Sequence, residues 1–240
     1  MSLQNRPILQ QIRARVNRTL SDGIQLNMST EESKKMLRRH VDSKTNLVIM
    51  FVDINDSTNM SLSLSQNKFA LIVRTFAQEM SIAVSGYGGY VFKYEGDAVI
   101  SLFPAEYDQV KACENALSCS KAMLEIIREV INPAFKANGL AEITVRIGLA
   151  YGDALVVLYG KNLEKAHIDI IGSSISMAAK IASVAKTNQV LVGELIYNIF
   201  LSTFSTKNLK RFREVSFNPN KWNYRSHVNG RRIYRVYEYL

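Results

Sequence analysis

The stretch Leu47-Val48-Ile49-Met50-Phe51-Val52-Asp53 decides how this chain is read. Its apolar run is too short for an ordinary helix and has no polar alternation, which is the pattern of a strand buried on both faces. The run ends in a carboxylate, within Phe51-Val52-Asp53-Ile54-Asn55-Asp56-Ser57-Thr58. On its own, an aspartate where a buried strand runs out is either a turn residue or a ligand.

Downstream, Phe69, Val73, Phe76 and Met80 mark the apolar stripe of a helix over residues 66–84, closed by Gly86, Gly88 and Gly89. Residues 90–93 and 98–103 flank a turn at Glu95 and Gly96 and predict a β-hairpin. Cys113, Ala116, Leu117, Met123, Ile126, Ile127 and Val130 describe a long helix that is expected to stop near Pro133. Strands at 143–150, 154–158, 167–171, 189–192 and 234–239, with a small-residue helix at 173–184, complete the pattern. The order β-α-β-β-α-β, with a further helix and strands appended, predicts an α+β fold. It is that of a ferredoxin-like sheet with helices on one face. Upstream, Ile8, Ile12, Val16 and Leu20 recur every fourth residue among Arg6, Arg13, Arg15 and Arg18, an amphipathic basic helix. A second helix over 31–41 follows, with Thr30 as its N-cap. Residues 1–43 therefore read as a helical extension and 44–240 as the catalytic domain.

Composition narrows the class. With 47% apolar and 21% charged residues, the 240-residue chain is of the ordinary globular type. No stretch approaches the ~18 uninterrupted apolar residues of a membrane span, and the N-terminus lacks a signal-peptide core, so a cytoplasmic location is expected. Cys113 and Cys119 lie in one helical pattern with no second pair, and read as buried thiols. The net charge of +9 comes from residues 1–43 and 207–240, while the stretch between them is slightly acidic. Those basic ends carry no recognisable nucleic-acid reading motif, so a nucleic-acid partner is not expected.

Two carboxylates stand out by position: Asp53 at the end of the buried strand, and Asp97 beside the hairpin turn in Lys93-Tyr94-Glu95-Gly96-Asp97. In a ferredoxin-like sheet the first strand and the hairpin are neighbours, so the two can converge. Paired carboxylates with open coordination positions suit Mg²⁺ or Mn²⁺, which take their remaining oxygens from water and phosphate. Two such ions suit an in-line displacement at phosphorus. Asn55, Asp56, Ser57 and Thr58, at a helix N-terminus just past the strand, offer a cradle for phosphates.

The spacing of the remaining motifs gives these features a family. Phe51-Val52-Asp53-Ile54 followed by Ser57-Thr58, then Lys93-x-x-Gly96-Asp97, then Val145-Arg146-Ile147-Gly148, then Asp169-x-x-Gly172 occur in that order, with Ile175, Ala178 and Lys180 after them. Together they resemble the catalytic domain of class III adenylate and guanylate cyclases over about residues 46–200.

That resemblance implies that Asp53 and Asp97 bind two metal ions, with the backbone carbonyl of Ile54 as a further ligand. Lys93 and Asp169 match the pair that reads the purine edge in adenylate cyclases, and Arg146 matches a ligand of the β- and γ-phosphates. The tail Asn229-Gly230-Arg231-Arg232 aligns loosely with another triphosphate contact. Two positions depart from the family. Ser176 stands where an asparagine orients the ribose, and Lys180 stands where an arginine stabilises the transition state. Lysine keeps the charge but loses the planar fork. The family's site is composite, so a symmetric homodimer is implied. The reaction implied is ATP to 3′,5′-cyclic AMP and pyrophosphate. A pyrimidine (cytidylate or uridylate) cyclase, whose relatives share a lysine at the Lys180 position, is the alternative within the class. A degenerate cyclase domain that binds nucleotide without turnover is the alternative outside it. Nucleic-acid polymerisation shares the two-metal sheet, but no basic, aromatic-bearing groove can be read near Asp53.

Overall fold

The computed structural model describes residues 6–24, 28–162, 164–203, 209–226 and 232–240. Its frame is β1, Lys44–Ile54, hydrogen-bonded on both sides. On one side it pairs antiparallel with β3 (Ala98–Pro104), the second half of the hairpin begun by β2 (Tyr90–Glu95). On the other side it pairs antiparallel with β4 (Val145–Tyr159). The sheet continues through β6 (Gln189–Gly193), β8 (Val236–Tyr239) and β7 (Phe212–Val215), while β5 (His167–Ile171) pairs with the far half of β4. The β2-β3-β1-β4 core order is that of the ferredoxin-like sheet expected from the sequence.

The apolar run of β1 is buried on both faces because both faces are covered. Val48, Met50, Val52 and Ile54 pack in one layer with α4 (Gln66–Gly86) and α5 (Gln109–Ile126), the two crossover helices. Leu47 and Ile49 face the other layer, made by α7 (Ser173–Val184), by Leu37 of α2 (Glu31–Arg38), and by Trp222 and Tyr234. The crossover helices thus share one face, and the appended helix closes the other. Helix α7 lies close on β4: a Cβ at Gly148 would stand 2.2 Å from the backbone nitrogen of Ala182. No helix among the described residues is long and apolar enough to cross a membrane. Cys113 and Cys119 are buried, and burial pushes both thiols up to about 12, so they stay protonated.

Four local expectations are corrected. The long helix does not stop at Pro133. It passes through a π-helical turn at Ile127–Ile131 into α6 (Asn132–Ala137), with Pro133 in the first turn. Proline cannot donate to the carbonyl four residues back. That carbonyl, of Glu129, accepts instead from the Arg13 guanidinium at 3.1 Å. The strands read at 143–150 and 154–158 are one continuous β4, because Gly152 and Asp153 pair with Leu47 and Asn46 rather than turning. Helix α2 ends at Arg38, and Val41 bridges to Val156 instead. Thr30 occupies the cap position of α2 without a side-chain bond; Ser29 accepts from the Glu31 amide at 3.1 Å. Two elements carried no readable sequence signal, α8 (Glu194–Thr203) and β7, while the helix start expected after β1 opens a short separate helix, α3 (Ser57–Ser63).

The N-terminal segment is docked on the sheet. Ile12 and Val16 of α1 (Arg6–Asp22) enter the same layer as α4 and α5, while Leu37 of α2 enters the opposite one. Arg15 of α1 closes on Glu79 of α4, donating Nε to Oε1 at 3.0 Å and Nη2 to Oε2 at 2.6 Å. The Glu79 side chain is 0% exposed, so losing its partner leaves a buried charge. Arg15→Ala is expected to cost ~3 kcal/mol in urea unfolding, the low end for a broken buried pair because Gln78 still donates to Glu79. Adding Glu79→Leu should restore much of that loss. An Arg15→Ala cost under ~1 kcal/mol would show that α1 is not held by this pair.

Candidate active site

The register of β1 fixes the centre. Asp53 stands opposite Ala98 on β3 and Arg146 on β4. Side chains alternate along a strand, so Asp53 follows Leu47 and Ile49 onto the α7 side, and Arg146 lies beside it. The Arg146 guanidinium makes an ion pair with Asp53 through Nη2, and its Nε is buried with no partner among the described residues. Asp97 is in the hairpin turn next to Gly96, whose φ of +60° suits glycine there. The Ile54 amide donates to the Asp97 carbonyl at 3.4 Å and ties the turn to the end of β1.

The electrostatics of this pair are unfavourable as they stand. Burial, then the facing Asp97 carboxylate, push Asp53 up to about 6 against the pull of Arg146. The Asp97 Oδ2 is buried and has no hydrogen-bond partner among the described residues. Two facing carboxylates, one with a buried orphan oxygen, are what a hard divalent cation relieves, so the donor chemistry fits Mg²⁺ or Mn²⁺. Among the described residues, no third His, Cys, Asp or Glu joins them. Water, phosphate and a backbone carbonyl such as that of Ile54 would have to complete any coordination.

The other expected residues fall into separate groups. Asn55 does not offer its backbone N–H to a ligand, since that group donates to the Thr144 carbonyl at 2.8 Å. Asp56 sits in the left-handed region at φ 60° and accepts from Asn59 Nδ2 at 2.6 Å. Ser57 and Thr58 open α3 and, with Asp97, line a cavity of about 450 Å³. Lys93 on β2 and Asp169 on β5 meet at 2.6 Å, although their strands are not neighbours in the sheet. Partial burial opposes it, but the Lys93 bond and the Ile170 amide hold the Asp169 carboxyl below the usual range. His167 adds a contact of 3.5 Å to the same Asp169 oxygen. Ser176 and Lys180 lie one turn apart on the exposed side of α7. Among the described residues neither bonds to the other two groups, and Ser176 reaches back to the Gly172 carbonyl at 3.3 Å. Residues 229–231 of the tail motif lie outside the described residues.

Two residues escaped the sequence reading. Arg74 of α4 shares the cavity with Ser57, Thr58 and Asp97; its signal was a cation directly beside the apolar stripe at Val73. His167 joins Asp169 only because alternate residues of a strand share a face.

Comparison with known proteins gives the family and the fold. The sequence model of the adenylate and guanylate cyclase catalytic domain matches residues 40–218. The chain belongs to this family and is a class III nucleotidyl cyclase domain. It is 27% identical to a cytidylate cyclase from Staphylococcus aureus, over 71% of this chain and 40% of that protein. It is 25% identical to adenylate cyclase 1 of Rhizobium meliloti, over 64% of this chain and 24% of that protein. The chain thus spans less than half the length of either relative. The adenylyl cyclase CyaB from P. aeruginosa superposes with a TM-score of 0.68 at 20% identity, over 82% of this chain and 95% of that one. The guanylate cyclase domain of RhGC from Catenaria anguillulae, solved in complex with GTP, gives 0.63 at 17% identity, over 82% and 98%.

A raised carboxyl pKa reverses the usual linkage. The folded state holds the Asp53 proton more tightly than the unfolded state, so this group's contribution to stability falls as pH rises from about 4 to about 6. Scanning calorimetry of metal-free protein over that range should show the loss, and Asp97→Asn should reduce it. Mn²⁺ should raise the Tm of wild type at pH 7 but not of Asp97→Asn. An equal rise in both would show that the pair is not the metal site.

Proposed function

We propose that this domain cyclises a nucleoside triphosphate whose base sets an exocyclic amine beside an unprotonated ring nitrogen on its Watson–Crick edge, ATP in first place, to the 3′,5′-cyclic monophosphate and pyrophosphate. The observation that carries the base assignment is the Lys93–Asp169 pair at 2.6 Å. A carboxylate accepts from an amine and an ammonium donates to the neighbouring ring nitrogen. Guanine and uracil carry a protonated ring nitrogen at that place, to which the Lys93 ammonium cannot donate, and so are disfavoured. Cytosine presents the same amine-and-nitrogen edge as adenine. That likeness, with the cytidylate cyclases among the relatives, supports CTP as the second reading.

In the reaction the 3′-oxygen loses its proton and forms a bond to the α-phosphorus, and the bond from that phosphorus to the bridging oxygen breaks as pyrophosphate leaves. Divalent ions held by Asp53, Asp97 and the Ile54 carbonyl would lower the pKa of the attacking hydroxyl and neutralise the leaving phosphates. Arg146 pairs with Asp53 in the free chain and would turn toward the β- and γ-phosphates; Ser57 and Thr58 would bond the same group. Lys180 would neutralise charge on the pentavalent oxygens and Ser176 would bond the ribose. Both are exposed on α7 and are given no bond to the carboxylates among the described residues, as expected if a second copy supplies them. The exposed Tyr159 and Ile171 on the β4–β5 ribbon would bury against that copy.

Incubation with each of the four triphosphates and Mn²⁺, with products resolved by mass spectrometry, tests the reading. Cyclic AMP, or cyclic CMP on the second reading, is expected. Cyclic GMP or cyclic UMP as the main product would overturn the base assignment, and no product would favour a binding module. Lys180→Ala should lower kcat by ~10²–10³ with little change in KM, the mark of a contact made in the transition state. Asp97→Asn mixed with Lys180→Ala should recover about a quarter of wild-type activity, because half the dimers carry one intact site. A mixture that stays dead after subunit exchange would exclude the shared site.

A further inference from the structure

We propose that Arg74 binds the pyrophosphate half of the substrate, the part that departs as cyclisation occurs. The assignment rests on the cyclase reading and adds to it a residue that no motif match supplied.

The cavity beside Asp97 has three kinds of wall. Ser57 and Thr58 bring hydroxyls from the start of α3, and Asp97 brings the carboxylate with the orphan oxygen. Helix α4 supplies the third wall: Phe69 and Val73, one turn apart, form an apolar floor, and Arg74 stands on its rim. Arg74 is exposed and makes no hydrogen bond or ion pair among the described residues. Arg146, by contrast, is already engaged by Asp53. Arg74 is therefore the guanidinium lining this cavity that no carboxylate has claimed.

The charges select the ligand. A carboxylate on one wall repels a bare anion, and a guanidinium on another repels a bare cation. A polyphosphate carrying a divalent ion satisfies both, with the ion toward Asp97 and the phosphate oxygens toward Arg74 and the hydroxyls. The planar guanidinium matches phosphate oxygens in pairs, which a lysine would not. The apolar floor keeps water from one side of the contact and so strengthens it. At about 450 Å³ the cavity has room for a diphosphate with its ion and waters. The substrate part that carries metal and lies next to the metal carboxylates is the diphosphate that leaves. In this position Arg74 would hold charge on the leaving group, whereas Lys180 would act on the oxygens of the α-phosphorus.

The test uses pyrophosphate with Mn²⁺ as the probe, by titration calorimetry and as a product inhibitor of turnover. Arg74→Ala is expected to weaken pyrophosphate binding and inhibition ~10–100-fold, the worth of a charge-assisted hydrogen bond, and to raise KM for the triphosphate similarly. Arg74→Lys should fall between wild type and alanine. Binding of the nucleoside monophosphate and the Tm should not move, since Arg74 is exposed and holds nothing in the fold. Pyrophosphate affinity within ~2-fold of wild type in folded Arg74→Ala would overturn the assignment and leave Arg74 a solvated surface charge. A changed triphosphate preference with unchanged pyrophosphate affinity would also overturn it, and would place the base in this cavity. Pyrophosphate bound through Arg74 by a wild-type protein that cyclises no triphosphate would sink the cyclase reading while leaving this assignment intact.

Discussion

The double pairing of β1 is the constraint on which the rest depends. Because β1 hydrogen-bonds to β3 on one edge and to β4 on the other, its last residues are fixed relative to a hairpin turn and to the start of β4 at once. A slip of one residue would send Asp53 to the α4 side and Val52 to the α7 side. The apolar run prevents that slip, since both layers need their own alternate residues of β1. The site is thus held by the same packing that stabilises the sheet, and its geometry does not depend on a mobile loop.

That rigidity allows an unfavourable arrangement to persist. Two carboxylates face each other at a half-buried strand end, one with an oxygen that no described residue satisfies. A free surface would let such groups turn apart; a paired strand and a tied hairpin turn do not. Arg146 offsets part of the repulsion, but it reaches Asp53 and leaves Asp97 Oδ2 alone. Strain of this kind is expected where a ligand supplies the missing charge. Around this centre, hydroxyls, an apolar floor and an unclaimed guanidinium occupy one side, while the Lys93–Asp169 pair and the exposed face of α7 form separate patches.

The helices before β1 form part of the packing of the sheet. Helix α1 places a guanidinium on a fully buried glutamate of α4 and another on a carbonyl that Pro133 cannot serve. Helix α4 in turn carries Phe69, Val73 and Arg74 to the cavity beside Asp97. The position of the cavity floor is therefore mechanically continuous with the N-terminal segment. Helix α2 performs the corresponding task on the other face, where Leu37 packs in one cluster with Phe92 and Ile168, the neighbours of Lys93 and Asp169.

Local pattern was enough for much of this. The β1 run, the stripe of α4, the hairpin and the small-residue face of α7 could be read because burial imposes a period on sequence. Asp53, Asp97, Lys93, Asp169 and Arg146 could be singled out because their spacing resembles that of a family. Departures came where a distant partner overrode a local rule. Pro133 continues a helix, and Arg13, far away in sequence, donates to the Glu129 carbonyl that the proline cannot serve. Gly152 and Asp153 extend a strand because β1 pairs with them. The Asn55 amide is spent on Thr144 and cannot serve a ligand. Arg74 resembled any surface arginine until α4 was laid against the hairpin turn. The sequence by itself determined which elements form and which carboxylates end them, since those follow from side-chain period and spacing. Only the tertiary structure decided which charges are already paired, which oxygen has no partner among the described residues and which guanidinium lines the same cavity, because pairing is a property of distances that no one-dimensional pattern contains.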